Sequence, residues 1–100
     1  HGINTTVPDD ARDRIKIYDI ICNELSYNVF KDDSRKRIID IIKKLTESDA
    51  VACISGCTEI ELLVKQTDIP KVELLPSAQI HIQYITDLLL GRIDLSEIEP

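Results

Sequence analysis

The stretch from Ala50 to Leu63, AVACISGCTEIELL, decides how this chain folds. Its first part, Ala50 to Ser55, is short, uncharged and largely apolar, which is typical of a strand buried on both faces of a parallel sheet. Gly56 ends this strand, and a short helix is predicted from about Thr58 to Lys65. Strand, turn and helix in this order are typical of α/β folds.

The upstream segment continues this alternation of strands and helices. The β-branched run from Ile3 to Val7 predicts a strand. Asp9, Asp10 and Asp13 then place negative charge in the first turn of a predicted helix, where the helix dipole favours it. A second amphipathic helix is predicted to begin at a cap formed by Asp32, Asp33 or Ser34.

The downstream segment adds a further strand and helix. Lys71 to Leu75 predicts a third strand, and Ala78 to Leu90 predicts a last helix that Gly91 stops. The tail from Arg92 to Pro100 is expected to be a partly docked end. Strands that alternate with helices imply crossover connections, so we expect a small three-layer α/β unit with a short parallel sheet flanked by helices. Three strands make a thin sheet, and the chain looks like half of something larger.

Composition excludes several classes of protein. The 100 residues, 43% of them hydrophobic, suffice for a single α/β domain over residues 1–100 with one modest core. The net charge of -6 argues against a nucleic-acid partner, which needs clustered Lys and Arg. No apolar run approaches the roughly 20 residues that cross a bilayer, so no membrane partner is expected. Because the chain has no Met and opens at His1-Gly2, we expect that the natural start is not present, either because a longer protein has been cut down or because an expressed protein has been trimmed.

The three cysteines favour reduced thiols over structural bridges. Cys22, Cys53 and Cys57 are odd in number and lie in apolar segments, which fits a cytoplasmic protein better than a disulfide framework. The spacing of Cys53 and Cys57 with only two histidines in the chain completes no four-ligand set, so no metal site is predicted.

Cys57 is the candidate for chemistry. It falls at the C-terminal end of a predicted strand, where ligand crevices lie in open α/β sheets. The helix that follows is expected to lower the pKa of the thiol and to offer N–H groups to a carboxylate. Gly56 is expected to keep the turn open for a ligand. Such a site suits chemistry on a small amino or carboxylic acid.

The same residues also have an ordinary structural interpretation. Thr58-Glu59-Ile60-Glu61 satisfies the capping-box pattern, with Thr58 as the N-cap and Glu61 reaching back to it. Cys is often buried as a small hydrophobic residue. From spacing alone this interpretation is the more common one, because capped strand-turn-helix units occur in many folds.

The string Ser55-Gly56-Cys57-Thr58-Glu59-Ile60-Glu61-Leu62-Leu63 closely resembles the second cysteine motif of the cofactor-independent aspartate/glutamate racemase superfamily. The resemblance covers about residues 1 to 93, the C-terminal half of such a protein. The other segments that match follow the family's order: His1-Gly2-Ile3, Val7-Pro8-Asp9, Ile20-Ile21, Glu24-Leu25, Ser34-Arg35, Ser77 and His81.

The resemblance implies a fold, a reaction and a set of site residues. In this family two similar α/β domains face each other across the active site, and each contributes one cysteine. One thiolate removes the substrate α-proton and the opposite thiol returns a proton to the other face, with no PLP and no metal. Cys57 would be one acid/base, and Gly56, Thr58, Glu59 and His81 would bind the substrate or support the site.

Two departures from the family pattern matter. Pro76 stands where the family usually carries an acidic residue, so that side of the pocket is expected to differ. The first cysteine belongs to the missing N-terminal half, and neither Cys22 nor Cys53 is expected to replace it, because both are predicted core residues. The isolated chain is therefore expected to have little activity.

Three alternatives stay open at this point. The chain could be a non-catalytic half-domain that serves as a ligand-binding or interaction module. It could form a homodimer that places two Cys57 thiols opposite each other. The decarboxylase and isomerase branches of the superfamily also fit, because the motif reports proton-transfer machinery and not the substrate.

Overall fold

The computed structural model describes residues 2–98. His1, which belongs to the first matching segment, and Glu99 and Pro100, which belong to the predicted tail, lie outside the described residues. No helix within residues 2–98 is long and apolar enough to cross a membrane.

Four α-helices and a short parallel sheet of two strands make up the described part of the chain. The helices are α1 (Ala11–Asn23), α2 (Asp32–Thr46), α3 (Thr58–Leu63) and α4 (Ser77–Leu89), and the strands are β1 (Ala52–Ser55) and β2 (Glu73–Pro76). Single turns of 3-10 helix form at Leu25–Tyr27, Gln66–Asp68 and Leu95–Glu97. The predicted fold class, a small α/β unit with a short parallel sheet flanked by helices, is confirmed.

The parallel pairing of the strands brings their C-terminal ends together. Ala52 lies opposite Glu73, and Ser55 lies opposite Pro76. Because the strands run in the same direction, their C-terminal ends lie at the same edge of the sheet. Each strand passes almost directly into a helix there, β1 into α3 and β2 into α4.

The core lies where α1 and α2 meet the segment from α3 to β2. Its buried apolar members are Ile20, Leu25, Ile38, Ile42, Leu63, Val64, Ile69, Val72 and Leu74. The amphipathic patterns of α1 and α2 supply Ile20, Ile38 and Ile42, so burial of one apolar face holds these helices in place.

The predicted strand from Ile3 to Val7 is wrong. These residues form no strand, and the side chains of Ile3 and Val7 are 78% and 65% exposed. Their β-branched composition suits a strand, but a strand also needs a hydrogen-bonded neighbour, and within residues 2–98 the sheet contains only β1 and β2. The sheet therefore has two strands where three were expected.

The prediction that β1 is buried on both faces is also wrong. Successive side chains of a strand point to opposite faces. Cys53 packs against the core and Ser55 is buried, whereas Ile54 on the other face is 61% exposed. An uninterrupted apolar run therefore marked a strand with one covered face.

The predicted caps of α2 differ as well. Lys31 is the N-cap and makes no side-chain cap bond, while Asp32 and Asp33 occupy the first turn. Ser34 lies inside the helix, where its buried hydroxyl donates to a Glu24 carboxylate oxygen at 2.5 Å. The Ser34 side chain therefore bonds to a distant segment and does not form the cap that the local sequence predicts.

Candidate active site

Cys57 lies at the edge where β1 enters α3. It is the N-cap residue of α3, with an extended backbone at φ -122° and ψ 128°, and its side chain is partly exposed. The position agrees with the expectation that the thiol sits at the C-terminal end of a strand, facing the crevice side of the sheet.

One carboxylate oxygen joins the three polar side chains of this turn. The Cys57 thiol donates to Glu59 Oε2 at 2.9 Å, and the Thr58 hydroxyl donates to the same oxygen at 2.9 Å. These hydrogen bonds, that from Cys57 first and then that from Thr58, lower the pKa of the Glu59 carboxyl. The cluster therefore combines an ionised carboxylate with a thiol that still holds its proton.

The predicted lowering of the Cys57 pKa is wrong. Burial raises the pKa of this thiol, and the hydrogen bond to Glu59 raises it further. Backbone N–H groups of Ile60 and Glu59 act in the opposite direction, but more weakly. The reason is that partial desolvation and, after it, the bond to the Glu59 carboxylate both disfavour a thiolate, and they outweigh the backbone N–H groups at the start of the short helix.

The capping box predicted for α3 does not form. Cys57, and not Thr58, is the N-cap, and its side chain makes no cap bond. Glu61 does not reach back to Thr58: its carboxylate accepts the backbone N–H of Ala78 at 2.9 Å, and the residue is only 5% exposed. A partner 17 residues away has replaced the local one.

Gly56 lies in an open turn, as expected. It is exposed, and a Cβ atom added to it would meet no other atom within 4 Å. Its backbone does not adopt the left-handed conformation that favours glycine. The space above the turn is therefore free for a ligand, although the fold itself does not require glycine here.

The start of α4 forms the second part of this strand edge. The Ser77 hydroxyl donates to the Ser55 carbonyl at 2.8 Å, which joins the end of β2 to the end of β1. His81 is exposed and lies four residues after Ser77, so the two side chains share one face of α4. No hydrogen bond between His81 and Cys57 is found among the described residues.

The predicted site residues therefore fall into two groups. Gly56, Cys57, Thr58 and Glu59 come together in one turn, while His81 lies on the neighbouring helix. Sequence reasoning missed Glu61 as a link between α3 and α4. No local sequence pattern indicates this contact. It follows from the parallel strands, which bring the starts of α3 and α4 to one edge of the sheet.

One cavity of the molecule lies next to the strand edge. It measures about 850 Å³ and is enclosed by residues 3–8, the apolar face of α2 and residues 48–56, so it borders Gly56 but not Cys57. Its walls are mainly apolar side chains, which suit packing and not a charged amino acid. We place the candidate site at the polar strand edge because the ionisable groups are there.

The other two thiols lie away from this edge. Cys53 sits within β1, packs against the core as predicted, and has its pKa raised by burial. Cys22 is half-buried on α1, next to the exposed Tyr18, so it is not the core residue that was expected. Within residues 2–98 no group of three or more His, Cys, Asp and Glu side chains is placed to hold a metal ion.

The chain is similar to a solved structure. No family model matches the chain. A crystal structure from Yersinia pestis, provisionally described as an Asp/Glu racemase, is 36% identical to this chain and superimposes with a TM-score of 0.81. The match covers 90% of this chain and 38% of the Yersinia protein, so the chain spans little more than a third of that protein's length. The chain therefore has the fold of a racemase-like α/β domain.

Proposed function

We propose that this chain is the C-terminal domain of a cofactor-independent aspartate/glutamate racemase, in which Cys57 is one of two acid/base thiols. The observation that carries the proposal is the cluster at the strand edge, where Cys57 and Thr58 both donate to Glu59. The similarity to the Yersinia structure supports the same reaction class.

In this proposal the protonation state of the free Cys57 thiol decides whether it acts first as the acid or as the base. Because its pKa is raised, the thiol carries a proton at neutral pH and can act as the acid. The opposite thiolate would take the α-proton of the substrate while Cys57 gives its proton to the other face of the planar carbanion. Cys57 would then be the thiolate and would serve as the base for the enantiomer just formed, so protons balance over the two directions.

Thr58 and Glu59 have separate roles in this proposal. Glu59 fixes the thiol proton in place through a 2.9 Å bond, and its negative charge keeps the thiol protonated until a substrate arrives. The Thr58 hydroxyl is bound to the same oxygen and can turn to the substrate carboxylate, since it lies on the exposed side of the turn. Gly56 leaves room for that approach.

The second thiol would come from another domain. Neither Cys22 nor Cys53 lies at the strand edge, and the chain spans 38% of the Yersinia protein. We therefore propose an N-terminal half as the partner and a two-domain protein as the active form, with the isolated chain inactive. The competing forms are a homodimer with two facing Cys57 thiols and a half-domain that only binds ligands.

The test is α-proton exchange of aspartate and glutamate in D₂O, followed by NMR. The chain is compared with Cys57→Ser and with Cys22→Ser as the matched control, because Cys22 is a free thiol away from the edge. We expect no exchange by the isolated chain. Once the N-terminal half is added, we expect exchange of both enantiomers, and Cys57→Ser should lower it by about 10² to 10⁴-fold for the enantiomer whose α-proton faces Cys57.

The remaining outcomes separate the competing forms. Exchange by the chain alone that needs Cys57 and rises with protein concentration would favour the homodimer. Sedimentation that shows only monomer at high concentration would exclude it. Binding of aspartate without exchange in the two-domain protein would favour the ligand-binding module and contradict the racemase.

A further inference from the structure

The first turn of α4 depends on polar contacts for its position. The helix has no buried residue, and large apolar side chains along it are exposed, among them Ile82 at 63% and Leu89 at 80%. It packs mainly against β2, whereas α3 packs against β1 and the 3-10 turn at Leu25–Tyr27. Apolar burial therefore constrains α4 weakly, and specific bonds at its start have more influence on its orientation.

Two such bonds fasten this turn. The Ser77 hydroxyl donates to the Ser55 carbonyl at 2.8 Å, and the Ala78 N–H donates to Glu61 Oε1 at 2.9 Å. The second bond is the stronger kind, because its acceptor is a carboxylate and its donor belongs to the positive end of a helix. Glu61 is 5% exposed, so water does not compete for this contact as it would at the surface.

Glu61 also belongs to the same short helix as the thiol. It lies four residues after Cys57, and its backbone N–H donates to the Cys57 carbonyl at 3.4 Å. A displacement of the Glu61 carboxylate therefore changes the position of α4, which carries Ser77 and His81, relative to the turn that holds the Cys57 thiol. Glu61 makes no hydrogen bond to Cys57 Sγ, so its influence on the thiol passes through the backbone.

We propose that Glu61 is a positioning residue, whose buried carboxylate fastens the first turn of α4 to α3 and so holds Ser77 and His81 beside the Cys57 turn. The role rests on the proposed racemase function, while the link itself is a property of the fold. Glu61 touches neither the substrate nor the reacting proton.

The test compares Glu61→Ala, Glu61→Gln and the control Glu73→Ala in the full chain. Glu73 is an exposed carboxylate at the start of β2, so its removal changes the net charge by the same amount without breaking the link. NMR hydrogen exchange is measured at the Ala78 amide and, as an internal reference, at the Val64 amide, which donates to Ile60 within α3. Residual dipolar couplings report the orientation of α4 relative to α2.

Loss of the Glu61 acceptor should affect α4 and leave the hydrogen bonds within α3 unchanged. In Glu61→Ala the Ala78 amide should exchange about 10 to 100-fold faster, with Val64 unchanged and α4 reoriented. Glu61→Gln keeps a carbonyl acceptor and should restore most of the protection. In the two-domain protein, Glu61→Ala should also slow α-proton exchange without moving the pH midpoint of Cys57 alkylation.

The outcomes that overturn the proposal are separate from those that overturn the proposed function. Unchanged Ala78 exchange and α4 orientation in Glu61→Ala, or an equal acceleration at Val64, would contradict a local positioning role. If no form of the protein exchanges α-protons, the racemase proposal fails, while the Ala78 and α4 measurements still decide whether Glu61 makes the link.

Discussion

Cys57 and Glu59 influence each other's ionisation through one hydrogen bond of 2.9 Å. Burial raises the pKa of the thiol, the bond to Glu59 raises it further, and the same bond lowers the pKa of the carboxyl. A sequence pattern showed that the thiol stands before a helix. It did not show that an acidic side chain two residues later would turn back onto it, because that depends on the rotamers of a folded turn.

Replacing the carboxylate tests this pairing. In Glu59→Gln the negative charge beside the thiol is gone, so the thiolate is less disfavoured and the pKa of Cys57 should fall. The pH midpoint of Cys57 alkylation by iodoacetamide, resolved by peptide mass spectrometry, should therefore move to lower pH. Glu73→Gln serves as the control for net charge, and a midpoint that stays or rises in Glu59→Gln would refute the pairing.

Two glycines should respond differently to the same substitution. Gly56→Ala should leave the free energy of unfolding almost unchanged, because the added Cβ meets nothing and the backbone is not left-handed. Gly91 has a φ of 70° after the end of α4, so Gly91→Ala should cost about 1 kcal/mol. Urea denaturation of the two variants checks this, and an equal loss in both would be inconsistent with the described turns.

At the scale of elements, an ion cluster joins α1 to α2. Asp13 has a side chain only 3% exposed and accepts from Arg37 Nη2 at 2.8 Å and from Lys44 Nζ at 2.5 Å. The first-turn position of Asp13 was visible in the sequence as a helix-start preference. Its two partners, 24 and 31 residues away, follow only from the packing of the helices.

Removal of this buried carboxylate should weaken the contact between α1 and α2. Asp13→Asn should lower the free energy of unfolding by about 1 to 3 kcal/mol, less than for a fully buried pair because both cations can rehydrate. Chemical denaturation compares it with Asp9→Asn, an exposed acid at the same helix start. Equal stability of the two variants would mean that the cluster contributes nothing.

The elements themselves were largely predictable, and their partners were not. The amphipathic patterns located α1 and α2, and Gly91 marked the end of α4. The failures share a physical cause, which is that the local preference of a segment does not determine its partner in space. Residues Ile3–Val7 have no neighbouring strand, and the side chains of Ser34 and Glu61 bond to distant segments and do not form caps. A strand needs a neighbour, and a capping side chain can find a better partner.

At the scale of the whole molecule, the position of the site follows from the topology alone. Two parallel strands end at one edge, and their helices begin there, so Cys57 and Ser77 face the same region. The sequence supported this arrangement through the alternation of strands and helices. It did not reveal that β1 has an exposed face at Ile54 or that an apolar cavity of about 850 Å³ lies behind that strand.

The most direct test of the central claim follows each enantiomer of aspartate and glutamate separately in D₂O, with the two-domain protein and its Cys57→Ser and Cys22→Ser forms. If Cys57 serves one face of the substrate, Cys57→Ser should abolish racemisation in both directions. It should still deuterate the one enantiomer whose α-proton faces the other thiol. Cys22→Ser should behave as the wild type. Racemisation by Cys57→Ser at the wild-type rate would contradict the account.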